Sequence, residues 1–283
     1  MVRHVLLAEP ASAAGPTLRQ PLRQLGYAVH VAHDEGPALA WARQCRPDLV
    51  VLDGCPAGLC RSLKGHRATN ALPVVEVLPA RPPLCLRAEP DAELTGQATP
   101  AALESAVSRA LAAGQQRLRE GVLAELSLWL PSDPAELEAL GEVLPGWLAD
   151  CGLAPFQVRQ LALAVHEVVA NAIEWGHAYE RTRLVSVLGR LDAEKVAVLV
   201  RDSGPGFDRA DLPHAARPGD PLSHLEVRAQ RRLRDGGFGI LLATGLVDHL
   251  CYNDTGNEGL LIKYLPAGAS PAPAALAGAV PVA

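Results

Sequence analysis

The chain has 283 residues, 49% of them hydrophobic and 20% charged, which is enough for about two domains with sizeable cores. A net charge of −5 gives no footing for non-specific nucleic-acid binding. No apolar run approaches the roughly 20 residues of a membrane helix. The amino terminus turns acidic at Glu9, too soon for a secretory signal, so no membrane association and a cytoplasmic location are expected. The cysteines are scattered without a Cys-x-x-Cys pair, and Cys55, Cys60 and His66 match no familiar zinc spacing, which predicts reduced thiols.

In chain order, His4–Ala8 reads as a buried strand ending at Glu9. A helix over Arg19–Leu25 is stopped by Gly26, and Tyr27–Val31 forms a second strand. Ala38–Gln44 is helical, ahead of an apolar strand over Pro47–Asp53. Pro73–Leu78 is a further strand, and Pro100–Leu111 a closing helix with Pro at its first position. Strands alternating with helices predict a doubly wound parallel sheet. Such sheets hold their chemistry at the carboxyl ends of the strands, where Glu9 and Asp53 stand.

Residues 113–121 read as a polar, Gly-bounded connector, after which Leu126–Leu130 alternates as a half-buried strand. Ser132 or Asp133 can cap the next helix, which carries Leu137, Leu140, Leu144 and Trp147 inward and is expected to break at Pro145-Gly146. The stretch Leu161–His177 is an amphipathic helix. On it Glu167, Asn171 and Glu174 are neighbours, because residues three and four apart share a face. A carboxylate and a carboxamide one turn apart offer hard oxygen ligands for Mg²⁺.

Leu184–Leu188 and Val196–Val200 read as antiparallel strands, the second running into Asp202-Ser203-Gly204-Pro205-Gly206. Glycines there let backbone approach a flat ring, and the Asp202 carboxylate can accept from an exocyclic amine such as that of adenine. Residues 208–235 carry no period and include Arg228, Arg231, Arg232 and Arg234, the signature of a lid or a disordered loop. Gly236-Gly237-Phe238-Gly239 then opens an apolar helix whose amino terminus can face phosphate. Strands over His249–Tyr252 and Leu260–Leu265 complete the sheet, and an Ala/Pro-rich tail over 267–283 is expected to be disordered. Strand, helix, helix, strand, strand in that order predicts an α/β sandwich with helices on one sheet face. Taken singly, each motif has a plainer reading: a core helix with a solvated edge, a common turn, a flexible loop.

Residues 1–112 resemble a response-regulator receiver domain. That resemblance makes Asp53 the phosphoacceptor position and Glu9 one member of an acidic pair that holds Mg²⁺. Ala8 stands at the other acidic position, Pro79 where a switch Ser or Thr belongs, and Gly96 where a Lys would contact phosphate. These departures point to a pseudo-receiver that is not phosphorylated. The plain alternative for Asp53 is a strand-end acid capping a turn.

Residues 122–266 resemble the GHKL ATPase fold shared by gyrase, histidine kinases and anti-sigma-factor serine kinases. Glu167-x-x-x-Asn171 is similar to its N box, Asp202-x-Gly204-x-Gly206 to the first glycine box and Gly236-Gly237-Phe238-Gly239 to the second. Gly256-Asn257-Glu258-Gly259 stands where a Gly-Thr turn closes the adenine site, without the Thr. Asn171-Ala172-Ile173-Glu174-Trp175-Gly176-His177 is similar to the Asn-Ala-x-Glu-His-Gly run of the anti-sigma kinases, with Trp175 in place of the His.

The resemblance implies binding of ATP and Mg²⁺, with Asn171 on the metal, Asp202 on adenine, and backbone at Gly204, Gly206, Gly237 and Gly239 shaping the pocket. Glu167 would be the general base in transfer to a Ser or Thr hydroxyl. The implied partners are a small anti-anti-sigma-like substrate and a sigma factor, and a homodimer is compatible with it. His166, about 100° away on the helix, reads as structural. Two functions stay open. One is a serine/threonine protein kinase tuned by its receiver-like domain, favoured by Glu167. The other is an inactive ATP-binding module that sequesters a partner, favoured by the altered closing turn and the degenerate receiver.

Overall fold

The computed structural model describes residues 3–11, 18–54, 58–79, 84–96, 98–207 and 238–266. Two compact units emerge, one drawn from Met1–Pro83 and Arg87–Leu126, the other from Leu84–Leu86 and Ser127–Pro271. The expectations for the 208–235 lid with its arginines, for Gly236 and Gly237, for Cys55 and for the tail over 267–283 fall outside the described residues.

In the first unit the strands are β1 (Arg3–Ala8), β2 (Tyr27–Ala32), β3 (Leu49–Asp53) and β4 (Val74–Leu78), then the two-residue β5 (Arg87–Ala88) and β6 (Ala92–Thr95). All pairings in the sheet β2-β1-β3-β4-β6 are parallel. Counting only its own strands, that is the doubly wound 2-1-3-4-5 order of the receiver type. Val5–Ala8 and Leu49–Leu52 are buried without interruption, as parallel strands covered on both faces must be. Val5, Leu7, Leu49, Val51 and Val75 pack with Leu22 of α1 (Arg19–Gln24) and with Leu103, Ala106 and Val107 of α4 (Pro100–Arg119). The remaining helices are α2 (Glu35–Cys45) and α3 (Gly58–Lys64).

Three features differ from the sequence expectation. Strand β6 and helix α3 are additional. Helix α4 does not stop at Leu111 but runs through Gly114 to Arg119. Its true end is a Schellman cap: Gly121, at φ +71°, donates to the Leu118 carbonyl, and Val122 donates to that of Arg117. Arg117 is tied to Asp91 (Nη1–Oδ1 2.5 Å), which anchors the last turn.

The second unit starts with β7 (Ala124–Pro131), followed by α5 (Ala135–Asp150) and α6 (Pro155–Asn171). A π-helical turn, Ala172–Gly176, leads to the hairpin β8 (Leu184–Leu191) and β9 (Lys195–Arg201). The last elements are α7 (Gly239–Leu246), β10 (His249–Tyr252) and β11 (Glu258–Tyr264). Within this unit the strands stand in the order β10-β11-β9-β8-β7, with β10–β11, β11–β9 and β9–β8 antiparallel. Burial alternates along β7, β8 and β9, so one face of the sheet is covered and the other is half-exposed.

Helix α5 does not break at Pro145. It continues to Asp150 because Leu140, Leu144, Trp147 and Leu148 are all buried on one side, and their packing outweighs the backbone hydrogen bond that Pro145 cannot make. The Trp147 ring lies flat against Gly189 of β8, where a methyl group would fall 2.7 Å from it. Helix α6 packs against both α5 and α7. It is therefore the central helix of this unit.

Candidate functional site

Helix α6 presents Glu167 and Asn171 one turn apart on its half-buried side, beside a buried row of Leu161, Val165, Val168 and Val169. The amino terminus of α7 meets them there. A Cβ placed on Gly239 would lie 2.7 Å from Glu167 Oε2, 3.5 Å from Asn171 Nδ2 and 3.8 Å from Asn171 Oδ1. Only a glycine lets the start of α7, with its free N–H groups, come so close to both side chains.

Beyond Asn171 the helix widens into the π turn, a geometry that marks functional sites in helices. Gly176, the last residue of that turn, is where the loop after β9 docks. A Cβ on Gly176 would sit 2.5 Å from Asp202 Oδ1, and one on Gly204 would collide with the Gly176 carbonyl. The Gly204 N–H donates to Asp202 Oδ1 at 2.7 Å, and the Asp202 N–H donates to the Asn257 carbonyl at 3.0 Å. Gly206, at φ +72°, leaves no room for a side chain beside the Thr255 carbonyl, which accepts from the Phe207 N–H at 3.1 Å. The turn that closes this edge is organised by Asn253 Oδ1, which accepts from the N–H groups of Gly256, Asn257 and Glu258.

The predicted residues Glu167, Asn171 and Gly239 thus stand together. Asp202, Gly204 and Gly206 gather around the extension of the same helix, and Gly237 lies outside the described residues. Burial raises the Asp202 carboxyl above its ordinary value, opposed in part by the Gly204 N–H and by the Arg183 guanidinium. His166 is half-buried on α6 and is not part of these contacts.

Sequence reasoning missed the structure beneath the Asp202 loop. His177, 1% exposed, lies between Ser132 at the end of β7 and Ser203 after β9. Arg183 adds hydrogen bonds to Ser203 O, to Ser203 Oγ at 3.0 Å and to Gly176 O at 3.4 Å. Thr255, which contacts Gly206, was also missed. It precedes Gly256 directly, and that adjacency was the available signal.

In the first unit the carboxyl ends of β1 and β3 bring Glu9 and Asp53 together: burial and the Glu9 charge both raise the Asp53 carboxyl. Glu9 is 3% exposed and is paired with the guanidinium of Arg19, whose Nε donates to Oε1 at 2.8 Å. The cation facing Glu9 is thus a side chain of the protein. Pro79 follows β4 and Gly96, at φ +78°, follows β6. Among the described residues no group of three or more His, Cys, Asp or Glu side chains could hold a metal, and no helix is long and apolar enough to cross a membrane.

The geometry of the second unit has a counterpart among known proteins. Residues 130–263 match the Histidine kinase-like ATPase domain. The same half of the chain is similar to the serine-protein kinase RsbW of Listeria monocytogenes, 27% identical over 143 residues, covering 50% of this chain and 87% of that one. It is also similar to the serine-protein kinase RsbW of Bacillus subtilis, at 23% identity over 141 residues, covering 50% and 85%. Over the first unit, the signal receiver domain of a Syntrophus aciditrophicus histidine kinase aligns at 24% identity and a TM-score of 0.35, covering 39% of this chain and 91% of that one. The second half therefore carries an ATPase domain of the histidine-kinase-like kind, related to serine-protein kinases.

Proposed function

We propose that the protein is a Mg²⁺-ATP-dependent serine/threonine protein kinase of the anti-sigma-factor type, acting on a small anti-anti-sigma-like protein. The observation that carries this reading is the approach of α7 to α6 at Gly239, which sets a helix amino terminus beside a carboxylate and a carboxamide. The donor set suits the nucleotide. Asn171 offers a hard amide oxygen for Mg²⁺, the raised carboxyl of Asp202 stands at a glycine-lined edge for the purine amine, and N–H groups at the start of α7 face the phosphates. Gly204 and Gly206 keep side chains out of the place a flat ring would take. When bound, Mg²⁺-ATP supplies the phosphoryl group and neutralises its charge.

What the chain contributes is placement and proton management. Glu167, one turn from Asn171, accepts the proton of an incoming Ser or Thr hydroxyl as that oxygen forms its new bond. Asn171 and the start of α7 fix the position at which that hydroxyl must arrive. Similarity to the two RsbW kinases supports transfer to serine and a protein substrate. We assign Asp53 no phosphoacceptor role, because Arg19 already compensates Glu9.

The test separates binding from transfer in the full chain. ATP binding measured by calorimetry should require Mg²⁺, and Asn171→Ala should weaken it at least about 100-fold, as expected when a metal ligand is lost. Glu167→Ala should bind ATP about as well as wild type and transfer phosphate to the partner serine at least about 100-fold more slowly. Equal Mg²⁺-ATP affinity in wild type and Asn171→Ala refutes the metal assignment, and unimpaired transfer by Glu167→Ala refutes the base.

A further inference from the structure

The loop that carries Asp202 is held from below by a neutral imidazole. The backbone N–H of Ser203 donates to His177 Nε2 at 2.9 Å. A backbone N–H can only donate, so Nε2 bears no proton and Nδ1 does. Nδ1 in turn donates to Ser132 Oγ at 2.6 Å, and the Ser132 hydroxyl donates to the Arg183 carbonyl at 2.9 Å. Every donor and acceptor in the series is used in one direction. Arg183 closes the arrangement by donating from its guanidinium to Ser203 O and Oγ. Ser203 is the residue between Asp202 and Gly204, so the Asp202 carboxylate is aimed by a peptide that His177 and Arg183 grip from two sides.

We propose that His177 is a positioning residue: as the Nδ1–H tautomer it fixes the Ser203 peptide and thereby the purine-facing Asp202, and its protonation releases the loop and weakens adenine nucleotide binding. The inference rests on the nucleotide reading given above. A proton on Nε2 would face the Ser203 N–H, donor against donor, so the charged ring and the observed loop are incompatible. The charged groups around the ring agree with a neutral state. Burial and Arg183 push its pKa below the ordinary 6.5, while Glu180 acts the other way and is outweighed. Asp133, beside Ser132, is engaged by Arg181 at 2.8 Å, and the Asp202 carboxylate lies against Gly176. No step is expected at or above neutral pH. The loss sets in only on the acid side of the ordinary imidazole value.

The experiment uses the full chain with Mg²⁺-ADP as probe, over about pH 5 to pH 8. Wild type is compared with His177→Gln, whose Oε1 can accept from Ser203 without titrating, and with His177→Leu, which fills the space but accepts nothing. The nucleotide's own titration is common to all three and cancels in the comparison. Wild type should lose affinity toward acid about tenfold more than His177→Gln, and His177→Leu should bind about tenfold more weakly than wild type at every pH, the scale of one lost hydrogen bond.

A wild-type profile that parallels His177→Gln, or a His177→Leu variant that binds like wild type, overturns the proposal. A second readout does not depend on the nucleotide. The ¹⁵N shifts of His177 should report the Nδ1–H tautomer, and exchange of the Ser203 and Gly204 amides should quicken with acid in wild type but not in His177→Gln, beyond the intrinsic pH dependence common to both. The Nε2–H tautomer refutes the arrangement outright. If nucleotide binding is absent while this second readout behaves as stated, the nucleotide reading fails and the loop mechanism stands.

Discussion

Gly206 and Gly239 both face occupied space, but the neighbours differ in how far they can yield. At Gly206 the obstacle is the Thr255 backbone, and φ is +72°, a region that side chains rarely adopt. At Gly239 it is the tip of the Glu167 side chain, which can swing away. Gly206→Ala should therefore disrupt the Asp202 loop, weakening ATP binding at least about tenfold and costing about 1–3 kcal/mol in stability. Gly239→Ala should leave the fold intact and displace Glu167, so that phosphoryl transfer slows more than ATP affinity falls. Calorimetry and a transfer assay on both variants check the contrast; loss of binding in Gly239→Ala with transfer otherwise normal would contradict it. The pair Glu167 and Asn171 was legible in the sequence because a spacing of four fixes one helix face. The Ser132, His177 and Arg183 support was not, since it comes from the end of one strand, the end of a π turn and the start of another strand, which no local period connects.

At the scale of elements, β4 and β6 pair in a register that sets Glu76 beside Glu93. Arg87 binds Glu93 at 2.9 Å and favours ionisation of Glu76, but burial dominates, and the Glu76 carboxyl is pushed up to about 7. The unfolded chain holds that proton only up to about 4.5, so the folded unit binds it more tightly. Its stabilising effect is complete below the unfolded value and is lost as pH rises through about 7. Amide exchange in β4 should accordingly show the strand less protected at pH 8 than at pH 6, about one unit either side of neutrality, and Glu76→Gln should remove the difference. A wild type with the same pH dependence as Glu76→Gln would refute the assignment.

The neighbouring elements also show what the sequence could reveal. Strands β1 and β3 were legible as unbroken apolar runs. Strand β6, Ala92-Glu93-Leu94-Thr95, was missed because only Ala92 and Leu94 point inward. Helix α4 was cut short in the reading because Gly114 looked like a boundary. Gly in a helix costs about 1 kcal/mol, a penalty that good helix formers and the Arg117–Asp91 pair offset.

The whole chain joins an ATPase domain to a receiver-type unit that departs from receiver chemistry at Ala8, Pro79 and Gly96. Glu9 is held by Arg19, and the Asp53 carboxyl is raised rather than ready to ionise. Treatment with acetyl phosphate and Mg²⁺ followed by intact-mass measurement should show no stable adduct on the full chain. A Mg²⁺-dependent mass increase at Asp53 would overturn this. With its own guanidinium in place of a metal, the first unit has the charge balance of a fixed state, so its influence on the kinase is expected to come from what it binds.

The π turn at Ala172–Gly176 makes that segment sensitive to length as well as to composition. Removing one residue from it would restore an ordinary helix and rotate everything beyond by about 100°. Gly176 would leave Asp202 and His177 would leave Ser203, though every side chain in the purine cleft was unchanged. A single-codon deletion here should therefore be harsher than most replacements at the same positions, and descendants of this gene should vary the letters of the segment more freely than their number.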